Sequence, residues 1–169
     1  MEKIVRNYLE IKSLDELLQK EKPNNKYIVE KVSTNDFQLN KFFYKQIGQN
    51  YQWSDRLVWD DKQWIDYASN PNVFTFVLKD NEDIGGFFEL IYYKDKSEME
   101  IPYFGLLKNY TAKNLGGYML TEAIKTSFSY KVKRVWVHTC SLDHKNALKN
   151  YLSRGMKIFN TEKIGIESA

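Results

Sequence analysis

One stretch sets the terms for the rest of the chain. It runs from Glu100 to Gly117 and continues as an apolar-periodic segment to Phe128. Ile101, Tyr103 and Gly105 alternate with Glu100, Pro102 and Phe104, the period of a strand. Thr111-Ala-Lys-Asn114 are turn and cap types. Leu120, Ile124 and Phe128 then recur every fourth position with Met119 and Ala123 beside them, which defines one buried helix face. Strand, loop, glycine pair and helix in that order present unpaired backbone N–H groups at the positive end of a helix dipole. That is an anion site suited to phosphate, although Gly116 and Gly117 would also serve close helix–sheet packing. No Gly-Lys-Ser/Thr follows the loop and the three-glycine dinucleotide pattern is missing, so neither of those phosphate motifs applies.

The flanking segments build a sheet around this unit. Ile4–Ile11 reads as a strand, Leu14–Lys20 as a helical turn behind a Ser13 cap, and Tyr27–Val32 as a strand. Ser33-Thr-Asn-Asp36 caps a helix carrying Phe37, Phe42 and Ile47, and Asp60-Asp61 starts another through Trp64, Ile65 and Ala68. Val73–Leu78, Ile84–Tyr93 and Glu98–Leu107 form an antiparallel meander. Arg134–Cys140 is a nearly continuous apolar strand, as expected of one covered on both faces. Asp143 or His144 opens a helix with Ala147, Leu148, Tyr151 and Leu152 inward, Gly155 suits its C′ position, and Lys157–Ile166 closes the chain as a strand. The expected class is α/β of the α+β type, one mainly antiparallel mixed sheet with helices on both faces. A single domain spans residues 1–169, with residues 1–35 as a strand and helix extension packed on it. Pro102 cannot donate to a ladder, so it belongs at an edge, a bulge or a place where strands part.

Composition excludes several classes. A net charge of +3, with acids and bases interspersed, argues against nucleic acid. No apolar run reaches transmembrane length and Met1-Glu-Lys-Ile-Val-Arg6 lacks a signal-peptide core, so neither a membrane nor export is expected and cytoplasm is the default. Cys140 is the single cysteine, which rules out an internal disulfide. His138 and His144 lack metal-ligand spacing, so no metal is expected. His138 reads as a satisfied structural histidine and Cys140 as a small core residue.

Four segments carry a resemblance. Thr111-Ala-Lys-Asn-Leu-Gly116 resembles the Gln/Arg-x-x-Gly-x-Gly/Ala loop of the GNAT (Gcn5-related) N-acetyltransferases, with Thr111 in place of Gln/Arg and Asn114 in place of the first glycine. Asn tolerates the left-handed conformation best after Gly. His144-Lys-Asn-Ala147-Leu-Lys-Asn-Tyr151-Leu-Ser-Arg-Gly155-Met156 is similar to the family's Asn-x-x-Ala-x-x-x-Tyr-x-x-x-Gly-Phe segment. Tyr44–Trp59 and Trp136–His144 are similar to a bacterial subgroup of generically named acetyltransferases. The resemblance implies the GNAT fold, with the sheet splayed between the strands before and after the cofactor-loop helix, and acetyl-CoA as co-substrate. It implies that Thr111, Lys113, Asn114, Leu115, Gly116 and Gly117 hold the pyrophosphate, with His144 nearby, and that Phe104, Gly105 and Leu106 bind the pantetheine arm. Glu100 falls where the family carries a base, with Glu89 as an alternative, and Tyr151 matches the general acid.

The acceptor would then be an amine, on a small molecule or at a peptide or protein amino group. Tyr51, Trp53, Asp55, Arg56, Trp59 and Trp64 form the densest aromatic cluster, which reads equally as core and as acceptor wall. In the second reading Trp53 faces a cation, Asp55 answers an ammonium and Arg56 a carboxylate, with Glu89 also counted among the substrate-binding residues. A non-catalytic acyl-CoA-binding or regulatory module is the alternative function, and a homodimer is left open.

Overall fold

The structure, a computed structural model, describes residues 3–33 and 36–165. Local chemistry accounts for most element boundaries. Asp36 caps α1 (Phe37–Gly48) by accepting from Gln38 N–H. Asp60 and Gln63 form a reciprocal capping box that starts α2 (Asp61–Ala68). The strands are β1 (Lys3–Ile11), β2 (Tyr27–Lys31), β3 (Val73–Asp80), β4 (Asp83–Tyr93), β5 (Glu98–Glu100), β6 (Phe104–Leu106), β7 (Arg134–Cys140) and β8 (Lys157–Gly165), and the remaining helices are α3 (Gly116–Phe128) and α4 (Ala147–Ser153). Gly155 holds φ +99° after α4, the left-handed stop that its position predicted.

The sheet order is β2-β3-β4-β5-β7-β1-β8, with β6 against β4. Among these pairs only β5–β7 is parallel. Within residues 1–35, expected as a strand and helix extension packed on the domain, β1 and β2 are strands of the sheet. β1 lies between β7 and β8, and β2 borders β3. Consecutive residues of β3 and β4 face opposite layers. Val77 and Phe87 pack with Phe43 and Ile47 of α1, whereas Leu78, Phe88 and Leu90 join Met119, Leu120, Ala123 and Ile124 of α3. Helices therefore cover both faces of the sheet. Fully burying each such side chain contributes roughly 1.5–3 kcal/mol.

Five details differ from the sequence reading. Glu98–Leu107 is not one strand. Phe88 pairs with Phe104 and Ile91 with Glu100, so Glu89-Leu90 oppose Ile101-Pro102-Tyr103, an extra residue that makes a bulge. β7 alternates, with Val135, Val137 and Thr139 buried and Trp136, His138 and Cys140 half-buried, because α1 and α2 cover only part of their face. The first helical turn shrinks to Leu14–Glu16. α4 starts at Ala147 behind Asn146, and Leu152 points outward at 44% exposure. In α1 it is Phe43 that is buried, while Phe42 is 48% exposed. Thr34, Asn35 and Ile166 lie outside the described residues.

Candidate active site

The bulge opens the site. Ile101 N–H donates to Trp136 O (2.9 Å), the final bond between the β5 segment and β7. Beyond it Pro102 has no N–H to offer, Glu89 N–H donates to Tyr103 O (2.9 Å), and β6 stays with β4. β6 is thus hydrogen-bonded along one edge only, and its other edge borders a cleft of about 1070 Å³ between the parted strands. Phe104, Gly105 and Leu106 line it, with Val137, His138 and Cys140 across the gap. Gly105 is required by close approach, since a Cβ there would sit 2.8 Å from Ile47.

One end of the cleft is the start of α3. Asn114 adopts φ +58°, the left-handed turn for which its residue type was suited. Leu115 precedes the helix with no side-chain cap, and the first turn holds no acid, so the first N–H groups have no side-chain partner. Asn114, Leu115, Gly116 and Gly117 line the cleft. Thr111 also lines it, but its hydroxyl donates to Lys108 O at 2.9 Å. Lys113 is not a lining residue, and its Nζ lies 5.1 Å from the Tyr110 ring centre. Asn150 steadies the helix start by donating to Gly116 O at 3.1 Å.

Tyr151 reaches the cleft from α4, 6% exposed, with its ring 6.3 Å from Phe104. Burial first, and the nearby Asp143 charge second, push its phenol well up, so it stays protonated at neutral pH. His144 lines the cleft, accepts from Asn146 N–H at Nδ1 (3.1 Å) and sits against Tyr51, ring centres 5.8 Å apart.

Glu100 enters from the opposite wall at 8% exposure. Tyr93 donates to its Oε1 at 2.8 Å, and Oε2 has no hydrogen-bond partner among the described residues. Burial raises its pKa, with Glu89 adding to the rise, while the Tyr93 bond and Arg56 pull it down. A carboxylate with a raised pKa and one open oxygen is a group that can take up a proton. His138 is pushed the other way, by burial and then by Arg6, and stays neutral. Burial likewise raises the Cys140 thiol, which disfavours the thiolate form.

The aromatic segment forms the far end. Asp55 is exposed and takes two phenols on Oδ1, from Tyr44 (2.9 Å) and Tyr103, leaving Oδ2 open. Trp53 packs 4.6 Å from the Tyr103 ring and donates from Nε1 to Asp143 at 3.3 Å. Arg56 and Glu89, expected to face an acceptor, are instead joined to each other. Glu89 is fully buried and accepts from Arg56 Nη1 (3.0 and 3.2 Å), Asn40 Nδ2 (2.8 Å) and Tyr67 OH (2.6 Å). Arg56 does line the cleft, yet its guanidinium is 4% exposed and ringed by Tyr67 (4.1 Å), Tyr103 (4.5 Å), Trp59 (4.9 Å), Trp64 (5.7 Å) and Tyr44 (5.8 Å).

The sequence reading passed over Tyr93, Asp143, Arg6, Lys20, Asn150 and Arg154. For two of these a signal existed. Ala147, Asn150, Tyr151 and Arg154 are spaced i, i+3, i+4 and i+7, so the helix face carrying Tyr151 carries the other two to the cleft. Among the described residues no three His, Cys, Asp or Glu side chains converge as a metal set, and no helix is long and apolar enough to cross a membrane.

A mixed sheet whose parallel strands part beside an uncapped, glycine-led helix defines an acetyltransferase fold of the GNAT type, and solved structures share it. An aminoglycoside acetyltransferase from an uncultured soil metagenomic sample superposes with a TM-score of 0.64 at 18% identity, covering 79% of this chain and 90% of that one. A GCN5-related N-acetyltransferase from Sphaerobacter thermophilus gives 0.70 at 14% identity, covering 95% of this chain and 50% of that one, so the present chain corresponds to half of it. An IAA acetyltransferase from Bacillus cereus gives 0.57 at 18%, covering 79% of each chain. A comparison with curated protein sequences finds no match. The profile of the acetyltransferase (GNAT) family matches residues 32–156. The chain belongs to that family.

Proposed function

We propose that this protein is an acyl-CoA-dependent N-acyltransferase that moves an acetyl group from acetyl-CoA to a primary amine. The observation that carries the reading is the opening between β6 and β7, just past the last β5–β7 bond, which exposes a half-bonded buried carboxylate (Glu100) and a protonated phenol (Tyr151) to one cleft.

The residues present fit coenzyme A. The free N–H groups at Asn114–Gly117 suit its pyrophosphate. The unpaired edge of β6 at Phe104–Leu106 suits the amides of the pantetheine arm, and an N–H there can polarise a thioester carbonyl. When bound, the thioester supplies an activated carbonyl whose C–S bond is exchanged for a C–N bond to the amine. Glu100 Oε2 takes the proton that the amine nitrogen gives up, and the Tyr151 hydroxyl supplies one to the departing sulfur. Burial keeps the phenol protonated at rest, and the same shift makes it a weaker acid toward the departing sulfur than an exposed tyrosine. Asp55 Oδ2 and the Trp53 ring offer a cation-binding wall for the acceptor. Positioning two reactants in one cleft supplies much of the rate in such transfers.

A second reading is a non-catalytic acyl-CoA-binding module. The Thr111 hydroxyl favours it, because its bond to Lys108 O removes a side-chain ligand from the loop. Thiol release separates the two. Acetyl-CoA is mixed with aminoglycosides, polyamines, amino acids or peptide N-termini, and free CoA is followed with a thiol reagent. The enzyme releases CoA with at least one amine, whereas a binder is stabilised by acetyl-CoA and releases none.

A further inference from the structure

Two cations from distant parts of the chain meet at the start of α3. A Cβ on Gly117 would collide with Arg154 Nη1 and lie 2.9 and 3.1 Å from Lys20 Cγ and Cβ, so both side chains pack directly on this glycine. Their backbones are pinned there. Leu18 N–H donates to Arg154 O (3.0 Å), Lys20 N–H donates to Thr121 Oγ1 (2.9 Å), and the Gly155 turn packs against the Glu16 carbonyl.

Nothing negative accompanies them. Neither Lys20 nor Arg154 forms an ion pair among the described residues, and the first turn of α3 has no acid. Arg154 Nε is buried without a hydrogen-bond partner, one of only two such atoms among the described residues. Two like charges at the positive end of a helix repel one another and the dipole. A buried guanidinium donor without a partner adds a desolvation cost. Both residues line the cleft beside Gly116 and Gly117. The group that would relieve all of this accepts hydrogen bonds only and carries more than one negative charge. The planar guanidinium fork matches paired phosphate oxygens.

We propose that Lys20 and Arg154 clamp the pyrophosphate of coenzyme A against the start of α3, supplying side-chain contacts that Thr111 does not. This rests on the acyl-CoA reading above. It also gives the segment between β1 and β2 a binding role, because that segment carries Lys20.

Calorimetric titration of CoA and 3′-dephospho-CoA tests it on the wild type, Lys20→Met, Arg154→Met and Arg154→Lys, with Lys62→Met on α2 as a charge control. Each Met variant should weaken both ligands by about tenfold or more, Arg154→Lys by less, and Lys62→Met not at all. The salt dependence of binding should shrink in the Met variants. Without ligand, the melting temperature of Arg154→Met should hold or rise, because an uncompensated charge is gone. A wild type that binds no CoA overturns the acyl-CoA reading and this inference together. Binding by the wild type with unchanged affinity in Lys20→Met and Arg154→Met overturns the clamp alone. Weakening of CoA but not dephospho-CoA would assign the cations to the 3′-phosphate and overturn the pyrophosphate assignment. If Arg154→Met does not fold, Lys20→Met and Arg154→Lys decide the question, and full affinity in both overturns it.

Discussion

The two ends of the cleft each carry an arginine, and they treat it in opposite ways. At the aromatic end, Arg56 is bonded to fully buried Glu89, whose oxygens also receive Asn40 and Tyr67. At the α3 end, Arg154 keeps a buried Nε with no partner among the described residues. A buried charge that meets its own counter-charge is part of the architecture. One left uncompensated beside free N–H groups points to something that arrives from outside. Residue type alone would have reversed the two: Arg56 stood in the richest aromatic motif, and Arg154 in no motif position.

The sharpest way to break this comparison is to unpair Arg56. Arg56→Ala leaves the Glu89 charge buried and should cost about 3–5 kcal/mol of stability, read by urea denaturation. Retained stability, with a change confined to acceptor KM, would make Arg56 a substrate ligand after all.

Next in size is the carboxylate between the two ends. Glu100→Gln should lower kcat on the order of 10²-fold at neutral pH, with part returning at higher pH as the amine deprotonates in solution. Its stability effect has the opposite sign. The folded pKa of Glu100 lies above its unfolded value, so folding binds the proton more tightly. The stability this contributes is present at low pH and lost as pH rises through the folded pKa. The Gln variant escapes that loss and should unfold at an equal or higher urea concentration at neutral pH. Full activity in Glu100→Gln, with loss in Glu89→Gln, would move the base to the neighbouring strand.

Tyr151→Phe removes one hydroxyl and keeps the packing against Phe104. kcat should fall by roughly 10²-fold, with the CoA dissociation constant and melting temperature nearly preserved. An unchanged kcat would leave water as the proton donor. The smallest effect belongs to the loop. Asn114 already sits at φ +58°, so Asn114→Gly relieves backbone strain and should leave CoA affinity equal or slightly higher. Clear weakening would show that the amide side chain itself serves the site.

Local patterns carried much of the frame. The period of Leu120, Ile124 and Phe128 placed α3, the Asp60-Asp61 pair placed α2, and Gly155 placed the end of α4, because caps and helix faces are written within a few residues. Asn114 and the Ala147–Tyr151–Gly155 spacing were legible for the same reason, and they pointed to the family. The break in Glu98–Leu107 was not, although Pro102 hinted at it, because a bulge adds a residue without disturbing the alternation on either side.

What the chain's order alone determined was therefore most of the elements, the buried face of α3 and the strand–loop–helix unit with its uncapped helix start. Only the tertiary structure decided which charges were already answered. Glu89 meets Arg56 through the packing of the α1–α2 loop on β4, and Lys20 meets Arg154 through the pinning of residues 18–20 to α3 and α4. Compensation of a buried charge depends on distances of a few ångströms between residues far apart in the chain, and no local periodicity encodes those distances.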